Sequence, residues 1–68
     1  MMERSRSTPL PGLAVHRRRW GLTQRQLGEL ARVAHTTVQR LESLSRGAYP
    51  QTLRKLALAL RVEPKDLL

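Results

Sequence analysis

The stretch LTQRQLGELARVAHTTVQRLE, residues 22–42, leaves the chain few ways to fold. Thr23 can cap a helix, and Gln26, at the third position beyond it, can return the bond. That is the spacing of a capping box. Leu22 before the cap and Leu27 beyond it are placed to staple the chain's entry into the helix. Leu27, Leu30 and Ala31 then recur at i, i+3 and i+4, the apolar stripe of an amphipathic helix. A thinner stripe, Val38 and Leu41, starts a few residues later. Only Arg32, Val33 and Ala34 lie between, too few for anything but a tight turn. Two short helices must therefore meet at a corner. The second runs over about 35–43, unless Thr36 and Gln39 form a capping box of their own and move its start by a residue or two.

The rest of the chain builds around that corner. Residues 1–9 are polar, with Arg4, Arg6 and Pro9, and read either as a flexible basic arm or as an end with no role. Residues 10–68 form the domain. A first helix is expected from Pro11 to Trp20, with Leu13, Ala14 and Arg17 on one face and Gly21 as its stop. Trp20 reads as a packing residue. Gly28 costs its helix about 1 kcal/mol against alanine, so its presence suggests close approach by another helix. After the loop SLSRGAY, Pro50 opens a fourth helix. Leu53, Leu56, Ala57 and Leu60 form its stripe, and Leu58 and Ala59 are expected to broaden it. EPKDLL adds a terminal turn or short helix, with Leu67 and Leu68 open to a core or a dimer role. No segment alternates with period two, so no sheet is expected. The fold class is all-α, a compact bundle of four to five short helices.

Composition narrows the function. At 68 residues with no cysteine, the chain has neither disulfides nor thiolate ligands to staple a small core. His16 and His35 are too far apart for a short-spacing metal pair. No nucleophile, paired carboxylate or ligand cluster stands out, so neither an enzyme nor a cofactor or metal is expected. No apolar run is long enough to cross a bilayer, and the N-terminus lacks the apolar stretch of a signal peptide. A cytoplasmic, nucleoid-associated protein is expected. The net charge is +8, from 13 basic residues against 5 acidic ones. Arginine supplies most of the positive charge, and arginine suits phosphates and guanine edges. A basic surface also suits an acidic protein partner, or simply solubility.

Two short helices about three residues apart have the helix-turn-helix spacing. In that arrangement the second helix lies in the DNA major groove. It needs one buried stripe and one hydrogen-bonding face, and the helix over 35–43 offers both. GLTQ, LGELA, VQRLE, Pro50 and LALALRVEPKDLL together resemble the DNA-binding domain of the phage repressor and Cro group, the XRE-like family. The resemblance spans roughly residues 13–68 and implies a lambda-repressor-like, five-helix domain that binds operator DNA, often as a dimer.

Carried over residue by residue, it implies that His35, Thr36 and Arg40 reach base edges, with Thr37 and Gln39 beside them. It places Thr23 and Gln24 on phosphates, with Gln24 also bracing the reading helix. Ser45, Arg46, Gly47 and Gln51 match a second phosphate-contacting segment. Arg17 and Glu42 match an internal ion pair. Arg18 and Arg19 are either further phosphate contacts or a solvated face. The chain departs from the family at Arg32 and Arg61, where glycine is usual, and at Ala34, where a serine or threonine cap is usual. Its loop before Pro50 is longer by one or two residues. At the two arginines either the backbone differs or left-handed strain of roughly 1 kcal/mol is accepted.

The expected function is a sequence-specific regulator of transcription, a repressor, that binds double-stranded DNA. A homodimer, formed on DNA or before it, is left open. The alternative is an antitoxin-like module that binds a toxin or other protein partner as well as its own operator.

Overall fold

A computed structural model describes residues 7–68. The elements follow in the order α1 (Leu13–Arg19), α2 (Gln24–Ala31), α3 (His35–Glu42), α4 (Pro50–Leu60) and a terminal 3-10 turn, Pro64–Leu67. No strand occurs among the described residues. Arg4 and Arg6, and the arm as far as residue 6, lie outside them.

The start of α2 is the one the sequence marks most clearly. Thr23 Oγ1 accepts from the Gln26 N–H at 3.0 Å, and Gln26 Oε1 accepts from the Thr23 N–H at 2.8 Å. Both halves of the capping box are made. At α3 no such device exists. Ala34 is its N-cap and supplies no side-chain bond, and the alternative box from Thr36 is not formed.

The four α-helices of the described residues end alike. Gly21, Arg32, Leu44 and Arg61 each adopt a left-handed backbone, with φ of 68, 60, 62 and 58°. The N–H that follows each reaches back across the last turn: Leu22 to Arg17, Val33 to Gly28, Ser45 to Arg40 and Val62 to Ala57. This is the Schellman closure, and it satisfies carbonyls that helix ends otherwise orphan. Only α1 uses glycine for it. At Arg32 and Arg61 the chain accepts the strain.

One core holds the elements together. Leu13 of α1, Leu27 and Ala31 of α2, Val38 and Leu41 of α3, and Leu56, Ala57 and Leu60 of α4 are all buried, joined by Leu10, Ala48 and Leu67. Leu67 completes the core, while Leu68 is exposed. Two expected stripe residues stay outside it. Leu30 is 60% exposed and Leu58 78% exposed. With about 100° between successive helical residues, Leu58 falls nearly opposite the buried side of α4, and Leu30 falls on a flank of α2. Trp20 is half exposed, and its Nε1 donates to the Leu60 carbonyl at 2.8 Å, pinning α1 to the end of α4.

Gly28 meets both the turn and the start of α3. A Cβ on it would stand 2.6 Å from the Val33 carbonyl oxygen and 3.3 Å from the His35 backbone. The absent side chain thus lets the corner fold tightly over α2. The N-terminal side is closed by an isolated antiparallel bridge between Thr8 and Ala48, with both hydrogen bonds at 2.8 Å. Thr8, read from sequence as part of the arm, is therefore docked on the domain.

Candidate nucleic-acid interface

α3 buries Val38 and Leu41 completely. Helical geometry then sends Thr36, Gln39 and Arg40 to the opposite side, and all three are exposed. Their side chains make no hydrogen bond or ion pair among the described residues, so their donors and acceptors are free for a partner. His35 and Thr37 are half-buried and fall on the two flanks of this face. The five residues expected to reach base edges are therefore not equivalent. Three form its outward row and two its margins. Ser43, just past the helix, continues the outward row, but its hydroxyl donates to the Arg40 carbonyl at 3.1 Å.

The angle at which α3 stands is set by Glu42 at its far end. Arg17 Nε donates to Glu42 Oε2 at 2.5 Å and its Nη2 donates to Oε1 at 3.0 Å, a bidentate pair. Gln24 Nε2 donates to the same Oε1 at 2.9 Å, and Arg17 Nη1 reaches the Leu22 carbonyl at 2.7 Å. One carboxylate thus ties α3 to both α1 and α2. The paired side chains are only 12% and 8% exposed, so the pair is little screened by solvent. Burial pushes the Glu42 carboxyl up. Hydrogen bonds from Arg17 and Gln24, with the charges of Arg17 and Arg18, outweigh burial and hold it below its ordinary 4.5. The hydrogen bond to Glu42 in turn holds the Arg17 guanidinium above its usual value, against burial.

The start of α2 opens beside this network. Thr23 spends its acceptor on the cap, which leaves its hydroxyl proton available. Gln24 braces Glu42 through its amide group. Arg25, to which the resemblance gives no role, is exposed and lines a groove of about 260 Å³ together with Arg32, Ala34 and His35. It therefore lies on the same side as the start of α3. Its place directly after Gln24 was the available signal.

The second expected phosphate segment is less uniform. Arg46 and Gln51 are exposed. The Ser45 hydroxyl donates to the Arg40 carbonyl at 3.2 Å. Gly47 backs onto the N-terminal segment, and a Cβ there would stand 2.7 Å from the Thr8 nitrogen. Arg18 and Arg19 are exposed at the end of α1.

With this geometry in place, the likeness to known proteins is informative. The helix-turn-helix family model matches residues 17–67, three-quarters of the chain. The restriction-modification controller protein C.AhdI from Aeromonas hydrophila is 31% identical. It superposes with a TM-score of 0.81 over 85% of this chain and 88% of its own. The clp gene regulator ClgR from C. glutamicum is 26% identical, with a TM-score of 0.76 over 84% of this chain and 74% of its own. No curated protein sequence matches the chain. No helix among the described residues is long and apolar enough to cross a membrane. A tight corner, a free polar face on its second helix and these relatives agree: the chain belongs to the XRE-type helix-turn-helix family of DNA-binding transcription regulators.

Proposed function

We propose that this regulator is a repressor that reads the major groove of its operator with the outward face of α3. Thr36, Gln39 and Arg40 meet base edges, with His35 and Thr37 at the margins. The observation that carries this reading is the combination on one helix of two fully buried residues and three exposed polar side chains without internal partners. Arginine pairs with guanine O6 and N7, glutamine with adenine, and threonine with either base edges or the thymine methyl. Arg25 joins Thr23, Gln24 and Arg18 in holding the phosphate backbone, while Arg19 lies beside Trp20, and Arg46, Gln51, Ser45 and the Gly47 backbone hold a second stretch. A net charge of +8 favours this electrostatic part of binding and makes it steeply salt-dependent. The gene-control roles in the names of C.AhdI and ClgR support a regulatory reading.

On this reading the protein is not an enzyme, works in the cytoplasm on the nucleoid, and pairs with a second copy on DNA. Two copies would occupy half-sites about one helical turn, roughly 34–36 Å, apart. Selection of bound duplexes from a random pool tests all of this together. The expected result is a short motif repeated with two-fold symmetry at that spacing. Recovery of unbiased sequence at every position would remove the sequence-specific reading.

A further inference from the structure

On the flank of α2 away from Arg25 and His35 lies a second kind of surface. Trp20, Leu22, Leu30, Ala59 and Arg61 line a cleft of about 330 Å³. A neighbouring cleft of about 350 Å³ is lined by His16, Arg19, Leu60 and Val62, and shares Trp20 and Arg61 with the first. Trp20 borders both. Because its Nε1 is already bonded to the Leu60 carbonyl, the indole is held in place with its polar edge satisfied. What it offers outward is apolar and fixed, as a docking anchor should be. Trp20 is 53% exposed and Leu30 60%.

The charges on the rim are positive. Arg19 and Arg61 border the clefts beside His16, and no carboxylate among the described residues lines either one. The acidic pair Glu63 and Asp66 lies beyond Arg61, around Leu58. Apolar walls with a cationic rim fit an acidic segment that carries leucine or aromatic anchors. A second copy fits badly. In a two-fold contact the same patch meets itself, so Arg19 and Arg61 of both copies would crowd together, with no acid among the described cleft residues to pair them. We infer that the Trp20 cleft docks an acidic, amphipathic segment of a partner protein, on a face separate from the one that reads DNA. This goes beyond the DNA-binding reading and does not depend on which helix reads bases.

Trp20 is the chain's only tryptophan, so its emission reports directly. The probes are three tryptophan-free synthetic peptides of equal length. All carry leucine and phenylalanine at the same positions, and their spacer residues are all Glu, all Gln or all Lys. The Glu peptide should shift Trp20 emission to the blue and saturate. The Gln peptide should bind about ten-fold more weakly, and the Lys peptide should give no shift. Salt should weaken the Glu peptide selectively. Leu30→Glu should abolish the response with the far-ultraviolet circular dichroism unchanged, since Leu30 packs outside the core. Arg61→Gln should weaken the Glu peptide and leave the Gln peptide as it was.

Absence of a saturable shift with the Glu peptide would overturn the inference, and so would equal responses to Glu and Lys peptides. A blue shift that grows with the concentration of the chain alone, with a doubled mass in sedimentation, would assign the cleft to a second copy instead. Random-sequence duplex DNA that produces the shift, and loses it in Arg19→Gln, would assign the cleft to nucleic acid. Either outcome also overturns it.

Discussion

α2 and α3 have the same length, eight residues each, and share one corner, yet they are held in opposite ways. α2 is fastened locally. Its capping box closes the first turn, and Gly28 lets the corner fold down on it. α3 has no side-chain cap. It depends on distant partners: two core residues and the Glu42 carboxylate, which reaches Arg17 and Gln24 on the two preceding helices. The arrangement leaves the outer side of α3 with no structural duty. A helix fixed from behind and from its far end can carry a face of free donors and acceptors. Such a reading surface is possible because its support is tertiary.

The comparison breaks most severely at Glu42. Glu42→Ala should cost about 3 kcal/mol in urea unfolding, because it strands Arg17 and leaves Gln24 unpaired. That is a large share of what a domain this small carries. A loss below about 1 kcal/mol would mean that Val38 and Leu41 alone hold α3.

The same group sets an acid limit. Its folded pKa lies below the ordinary 4.5, so its contribution is complete above that value and is lost as pH falls through the lowered one. Glu42→Gln should flatten the stability profile in that window, read as unfolding midpoint against pH.

Thr23→Ala should cost about 1 kcal/mol by removing the cap of α2. An equal cost at both corners is not available, since Ala34 has no cap to lose. Ala34→Ser should instead stabilise by about 0.5–1 kcal/mol if the serine hydroxyl caps α3. The smallest effect is expected at the helix ends. Arg32→Gly should gain at most about 0.5 kcal/mol, because relief of the left-handed strain is partly offset by the added freedom of the unfolded chain. Thermal melting of the two variants would rank them.

Local devices were the legible part of this fold. The Thr23–Gln26 box, the three-residue turn and the inward pair Val38 and Leu41 follow from spacing alone, because each depends on neighbours in sequence. The pairing of Arg17 with Glu42 was reached only through the resemblance, since nothing local couples two residues that far apart. Leu30 and Leu58 show where apolar counting misleads. Leu58 broadens its stripe only by being leucine, although the period of α4 turns it outward, and Leu30, at i+3 from Leu27, falls on a flank of α2 that stays exposed. The bridge from Thr8 to Ala48 had no signal at all, because one pair of backbone bonds leaves no pattern in side chains. The site followed the same division. The polar row on α3 is legible from spacing, its split into an outward trio and two margins depends on burial, and Arg25, marked in sequence only by its place after Gln24, is tied to the site by the groove it shares with His35.

The measurement that tests the central claim most directly is the specificity ratio of Arg40→Ala. Binding of the selected duplex and of a scrambled duplex would be measured at one salt concentration for the wild type and the variant. The ratio should fall by about ten-fold or more, with relaxed preference at one base pair, while affinity for the scrambled duplex changes little. An unchanged ratio for Arg40→Ala, and likewise for Thr36→Ala and Gln39→Ala, would contradict the assignment of α3 as the reading helix.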